Sequence, residues 1–174
     1  MENDRVKLIS AFADLLSERP FDSLNPRMIT ERADLPASTF PYFFRDTYEL
    51  ADAFLSDEAK TVAESGIAPE SGGEAFLLSV SFALRYPSAA KNLAASSAAG
   101  IYKKYVAALA TKYFSEVVLR KVCDGGPTEH HRDTVRFLRA AAVGLASKEL
   151  LSADDVPEAA KRFADVFDKA SDGE

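Results

Sequence analysis

Hydrophobic positions recur along most of this chain at spacings of three and four residues, the period of an α-helix with one buried face. Asn3 or Asp4 can cap a first helix, in which Val6, Ile9, Ala13 and Leu16 form one stripe and Leu8, Phe12 and Leu15 widen it. Pro20 disfavours helical geometry in the residue before it, so this helix is expected to end near Arg19. Asn25 followed by Pro26 is a start signal: the amide side chain caps, and proline takes the first helical position, where no N–H is needed. The second helix carries Met28, Ile29 and Ala33 inward and ends near Asp34. A third short element follows. Asp46 then caps a longer helix through Leu50, Phe54 and Val62, which fades at "ESGIAPESGG".

Residues 65–73, rich in Gly, Pro and Ser, mark the clearest boundary in the chain. Beyond it "EAFLLSVSFALRY" is apolar nearly all round, which predicts a helix inside a helical body, closed by Pro87. "NLAASSAAG" reads as small-residue helix or loop. A long helix then carries Tyr102, Tyr105, Val106, Leu109, Tyr113 and Val117 at helical spacing. "CDGGPTEHH" is a loop, with Thr128 as the next cap and Glu129 just inside the helix that follows. Two amphipathic helices, 129–151 and 155–170, complete the pattern. No segment alternates as a strand does and no internal repeat is visible, so the expected class is all-α.

Composition adds limits. A chain of 174 residues, 47% hydrophobic and 28% charged, suits one compact domain or a small head on a larger body. No run approaches the length of a membrane span, "MENDRVKLIS" has no signal-peptide core, and the lone Cys123 allows no intrachain disulfide. The expectation is a cytoplasmic protein without membrane contact. The net charge of −6 argues against general polyanion binding but leaves room for a local basic face. His130 and His131 are adjacent, so on a helix they point about 100° apart and do not chelate as an i, i+4 pair would. Cys123 precedes a Gly-Gly-Pro loop with no base beside it. With no acid–base, metal or phosphate-binding constellation, no enzymatic activity, metal or cofactor is expected.

The stretch "ISAFADLLSERPFDSLNPRMITERADLPASTFPYFFRDTYELADAF" resembles the N-terminal domain of TetR/AcrR-family transcriptional regulators. "PFDSLN", "ITERADLP" and "STFPYFFRDTYEL" hold the places of three family patterns: the turn "G-F/Y-x-x-x-T/S", then "I-A-x-x-A-G-V-S", then "S/G-T-F/L-Y-x-Y/H-F-x-D/S-K-E-x-L". Residues 66–174 resemble the family only in being helical and of suitable length. The resemblance implies a three-helix helix-turn-helix head, residues 1–48, on a helical ligand-binding and dimerisation body, residues 49–174. Two heads of a homodimer would reach successive major grooves about 34–36 Å apart. A small apolar or aromatic ligand in the body would favour one head spacing and so change affinity for DNA. The implied function is a ligand-responsive repressor. The alternative is a TetR-like ligand-binding or adaptor protein whose head has lost autonomous DNA reading.

Departures from the family pattern motivate that alternative. Residues 1–50 hold six basic side chains (Arg5, Lys7, Arg19, Arg27, Arg32, Arg45) against nine acidic ones, whereas DNA affinity comes mostly from neutralising phosphates. Thr47 stands where the family has a lysine, and Asp34 where the turn usually has glycine. Pro36 replaces a serine cap and is expected as the first helical residue, with Asp34 assisting. Pro41 replaces a tyrosine that commonly touches phosphate. It is expected to delete the bond to the Ala37 carbonyl, at roughly 3 kcal/mol in a regular helix. It should also push Phe40 off helical angles and leave a single turn, then a kink or 3₁₀ stretch through Tyr42 and Phe43.

The resemblance and the residue chemistry together make Arg27, Ser38, Thr39, Tyr42 and Arg45 the candidate DNA contacts. Each has a plainer reading. Ser38 and Thr39 satisfy free amides at a helix start, Tyr42 packs on the core, and Arg45 pairs with Asp46 or Glu49. Phe12, Phe21, Leu24, Ile29, Phe40 and Phe44 are expected as the head's core.

In the body, Phe76, Phe82, Tyr86, Tyr102, Tyr105, Phe114 and Phe137 either line an apolar ligand pocket with hydroxyl handles or form ordinary core. The last two helices present Leu138, Ala142 and Leu145, with Ala141 and Gly144 admitting a close neighbour, and Val156, Ala160, Phe163 and Phe167. These faces either build a four-helix dimer interface, as the resemblance implies, or bury themselves within the chain.

Overall fold

The computed structural model describes residues 2–121, 126–147 and 156–171, with the backbone alone for 2, 121 and 167–171. Among the described residues every regular element is helical. Helix α1 (Glu2–Glu18) buries Leu8, Phe12, Leu15 and Leu16, and Pro20 ends it by opening a 3₁₀ turn over Phe21–Ser23. Helix α2 (Pro26–Arg32) begins as the sequence predicts, the Met28 N–H donating to Asn25 Oδ1 at 3.1 Å. Its exit is a Schellman turn, in which the Leu35 N–H donates to the Thr30 carbonyl (3.0 Å) and the Asp34 N–H to that of Glu31 (3.3 Å). Asp34 occupies the left-handed position of that turn, with φ 54°.

The third element differs from expectation in three respects. Pro36 is the cap rather than the first helical residue: its ψ of 144° is extended, and no side chain caps the turn there. The 3₁₀ stretch, Ala37–Thr39, lies before Pro41 and not after it, and α3 (Phe40–Phe43) follows as a single turn. Phe40 also stays helical, at φ −60° and ψ −55°. The three corrections share a cause. Pro41 falls in the first turn of α3, where a missing N–H costs nothing. The tighter 3₁₀ winding ahead of it replaces the i−4 geometry that would have driven the ring into the Ala37 carbonyl. The Phe44 N–H closes the turn on the Phe40 carbonyl at 2.9 Å.

Helix α4 (Thr47–Glu64) opens on a reciprocal cap. The Glu49 N–H donates to Asp46 Oδ1 (2.8 Å), and Glu49 Oε2 accepts from the Arg45 N–H (2.7 Å). The long apolar segment expected next is two helices, α5 (Gly72–Ser79) and α6 (Ser81–Arg85), broken at Val80 (φ −107°, ψ 16°). Ser79 Oγ donates to the Ala75 carbonyl at 2.6 Å, a back-bond that bends helices, and β-branched Val80 follows it. Pro87 opens α7 (Pro87–Ala94) as well as ending the segment before it. The remaining helices are α8 (Ala99–Lys121), α9 (Glu129–Ser147) and α10 (Val156–Ser171). Thr128 caps α9 as predicted, its Oγ1 accepting from the His131 N–H at 3.4 Å, while its own N–H donates to His131 Nδ1 at 3.0 Å.

Helix α8 is the central post, with α4, α5, α7 and α9 packed around it. Helix α10 lies chiefly on α5. The six residues expected as core of the N-terminal helices are all buried. The face expected to build a dimer interface is instead largely turned inward. Leu138 and Ala142 are buried on α9, Leu145 is half-buried, and Val156, Ala160 and Phe163 are buried on α10. Phe163 stacks on Phe76, centroids 4.3 Å apart, and lies 5.7 Å from Phe114. An amphipathic stripe records that a face is buried, and here the chain's own helices bury it. The side chain of Phe167 lies outside the described residues, as does Cys123.

The α5–α10 crossing depends on Gly73, where an added Cβ would sit 2.7 Å from the Ala160 carbonyl oxygen. Gly73→Ala is expected to lower stability by about 1–3 kcal/mol in urea unfolding, because two backbones must separate. Asp34→Gly is expected to act oppositely, raising stability by up to about 1 kcal/mol on relief of its left-handed angle.

Candidate nucleic-acid interface

Helix α2, the Asp34 turn and residues 37–43 form a helix–turn–helix, held by Ile29 and Phe40 in the core. Its outer surface carries the five expected contacts. Arg27 stands in the first turn of α2 with its side chain 83% exposed, yet its Nε donates to Glu31 Oε1 at 2.7 Å. Arg45 is 82% exposed and its Nε donates to Asp46 Oδ2 at 3.3 Å, the pairing that the plainer reading anticipated. Tyr42 is 68% exposed, edge-on to Phe43 at 4.8 Å, so it does not pack into the core. Ser38 is exposed and Thr39 half-buried; Thr39 occupies the cap position of α3 without a side-chain capping bond. Ser38, Thr39, Tyr42 and Arg45 thus lie on and beside the short α3, whereas Arg27 stands on α2.

Electrostatics work against a phosphate grip here. Arg32 holds Glu18 by two parallel bonds of 2.8 and 2.7 Å, and Arg5 donates to Asp57 at 3.0 Å. Four of the six basic side chains within residues 1–50 therefore already face carboxylates. Hydrogen bonds from Arg32 hold the Glu18 carboxyl below the usual glutamate value. The Glu49 N–H, with Arg45 beside it, does the same for Asp46. The sequence reading missed Glu31 and Glu18 as partners. Glu31 carries a legible signal, four residues after Arg27 on one helix face. Glu18 lies on a different helix from Arg32 and offers none.

The chain is similar to a solved structure, a TetR transcriptional regulator from Rhodococcus sp. RHA1, with a TM-score of 0.61 and 18% identity over 95% of this chain and 96% of that one. The fold is TetR-like. No protein-family model and no curated protein matches the sequence.

In this TetR-like body the expected pocket residues are mostly packed against one another. Phe76, Phe82, Tyr102, Tyr105 and Phe114 are buried and Tyr86 is half-buried. Phe82 meets Tyr86, Tyr102 and Tyr105 at centroid distances of 5.4, 6.0 and 5.9 Å. Phe137 stands apart, 63% exposed on α9, and is corrected from pocket to surface. A groove of about 100 Å³ opens between α4 and α8, walled by Leu55, Ala59, Ile101 and Ala108, with Tyr105 the sole expected pocket residue on its wall. Asp52 and Lys104, paired at 3.2 Å, also line it. Burial pushes the Tyr105 hydroxyl up to about 12, so it is a neutral handle, and it shares a 3.4 Å hydrogen bond with Ser81 Oγ. Among the described residues no group of three or more His, Cys, Asp or Glu is placed to hold a metal ion, and no helix is long and apolar enough to cross a membrane.

Asp46 gives a pH test of the α4 cap. Its folded pKa is depressed, so the stability it confers is fully present above the ordinary value of 3.8 and is lost as pH falls through the lower folded value. Asp46→Asn keeps a capping oxygen that does not titrate. Urea unfolding at stepped pH is expected to show a flatter acid limb for this variant than for wild type.

Proposed function

We propose that the protein is a dimeric, ligand-responsive TetR-like transcriptional repressor, with residues 1–48 as its DNA-binding head and 49–174 as its body. The observation that carries this reading is the likeness to a solved TetR regulator along nearly the whole chain, together with the helix–turn–helix that residues 26–43 form here. Arg27 and Arg45 serve as phosphate contacts once DNA displaces their carboxylate partners. Ser38, Thr39 and Tyr42 are the groups placed to meet base edges or backbone oxygens. With two such arginines on each of two heads, about four phosphates are neutralised, so log K is expected to fall with log salt at a slope near −4. Binding to the DNA flanking the protein's own gene, measured between 50 and about 200 mM salt, tests this; absence of sequence preference throughout would refute it.

The dimer face is assigned to the outer side of α9. Phe137, Ala141 and Gly144 follow one another at helical spacing, Phe137 is exposed, and the space beside Gly144 is open. Phe137→Asp is expected to convert the dimer to a monomer in size-exclusion chromatography with light scattering. The ligand site is the α4–α8 groove. At about 100 Å³ it is well below the ~300 Å³ of ordinary ligand pockets, so it suits a guest of few heavy atoms, small and apolar.

One observation favours a second reading, an adaptor whose head does not read DNA: Arg5, Arg27, Arg32 and Arg45 are all engaged with acids. Pro41→Tyr with Thr47→Lys separates the two. On the regulator reading the wild type already binds specifically and the changes add about tenfold or less; on the adaptor reading specific binding appears only in the variant.

A further inference from the structure

Besides α4 and the packing of α1 on α7, a small polar cluster on the turn between α7 and α8, residues 95–98, joins the N-terminal helices to the rest of the chain. Asp22, in the 3₁₀ turn after α1, accepts from the Ser97 N–H through both carboxylate oxygens, at 3.2 and 3.3 Å, and its Oδ1 also accepts from Ser97 Oγ. A hydroxyl has one proton, and Ser97 gives its own to Asp22. The Tyr48 hydroxyl, 2.8 Å from Ser97 Oγ, must therefore be the donor of that pair. A directed chain results, from Tyr48 to Ser97 to Asp22, ending on a charge. The Tyr48 ring is fixed in turn by an edge contact with Phe21, centroids 5.2 Å apart. Nearby, Asn92 Nδ2 donates to the Leu16 carbonyl at 2.8 Å, where α1 is ending and that carbonyl lacks a helical partner. Helix α1 also packs on α7.

We propose that the α7–α8 turn is a latch for the N-terminal helices, with Ser97 as the catch and Asp22 and Tyr48 as its two anchors. The three side chains come from three segments: the turn after α1, the first turn of α4, and the α7–α8 turn. Rotation of α1–α3 on the body must separate Asp22 from Ser97 before the apolar α1–α7 contact can slide. Because the anchoring bonds are polar and solvent-facing, water can replace them, which suits a contact made and broken in the folded state. A buried apolar contact has no such substitute. The latch rests on the head-and-body reading only in giving the released unit a use. Its mechanics are independent of DNA.

Amide hydrogen exchange on the full chain, without DNA or ligand, tests it. Ser97→Ala and Asp22→Ala are each expected to speed exchange about tenfold at the end of α1 and through residues 21–24 and 92–98, as loss of a charge-assisted bond implies. Residues 73–79 and 105–117, in the body interior, should be unchanged. The double variant should fall short of the sum of the singles, because the Ser97 Oγ bond to Asp22 is lost in both, while Ser97→Ala alone keeps the backbone N–H on Asp22 and Asp22→Ala alone keeps Tyr48 on Ser97. Ser97→Asp, which sets two carboxylates together, should release the segment at least as far. Unchanged exchange in the singles, additive effects in the double, or equal acceleration across the whole chain would each overturn the proposal. Failure of the DNA-binding assay would leave it standing.

Discussion

Phe54 joins the two ends of the molecule. It lies on α4, is almost wholly buried, and meets Phe12 of α1 edge-on at 5.8 Å and Phe82 of α6 at 5.5 Å. Through these rings an aromatic path runs from Phe21 by way of Phe12, Phe54 and Phe82 to Tyr102 and Tyr105 on α8. Such edge-on pairs contribute about 0.5–1.5 kcal/mol each beyond the area they bury. The interior is therefore continuous across the start of α4. Close-packed interiors have low compressibility, so a shift of one ring is passed to the rings it touches.

Local signals were legible and distant ones were not. Asn25, Asp46 and Thr128 act on amides two or three residues away, so their side chains alone announce three helix starts. Pro41 was legible as a disturbance, but its effect depended on winding the sequence does not print: the residues before it tightened, and the helix restarted around the ring. Ser79 and Val80 broke an apolar run whose periodicity gave no warning.

The candidate site shows the same division. Exposure of Arg27, Tyr42 and Arg45 follows from their places on and beside short helices that bury other residues. The inward turn of Leu138, Ala142 and Phe163 does not follow from sequence. A stripe has the same spacing whether it meets a partner or its own chain, and the stacking of Phe163 on Phe76 joins residues far apart in sequence. Of the aromatic set of the body, Phe76, Phe82, Tyr102, Tyr105 and Phe114 are buried, Tyr86 is half-buried and Phe137 is exposed. Ser97, Asp22 and Tyr48 carry no local pattern at all.

On the regulator reading proposed above, the carboxylates that hold Arg27, Arg32 and Arg45 bear on how quickly this surface would find DNA. Long-range attraction between a basic face and a polyanion can lift association rates to about 10⁸–10⁹ M⁻¹s⁻¹, whereas neutral surfaces meet at about 10⁵–10⁶. Arg27 beside Glu31, Arg32 beside Glu18 and Arg45 beside Asp46 are dipoles at a distance and become cations only at contact. On that reading such a surface would arrive by unaided diffusion, gain little from sliding along the duplex, and rely for selectivity on how long it stays.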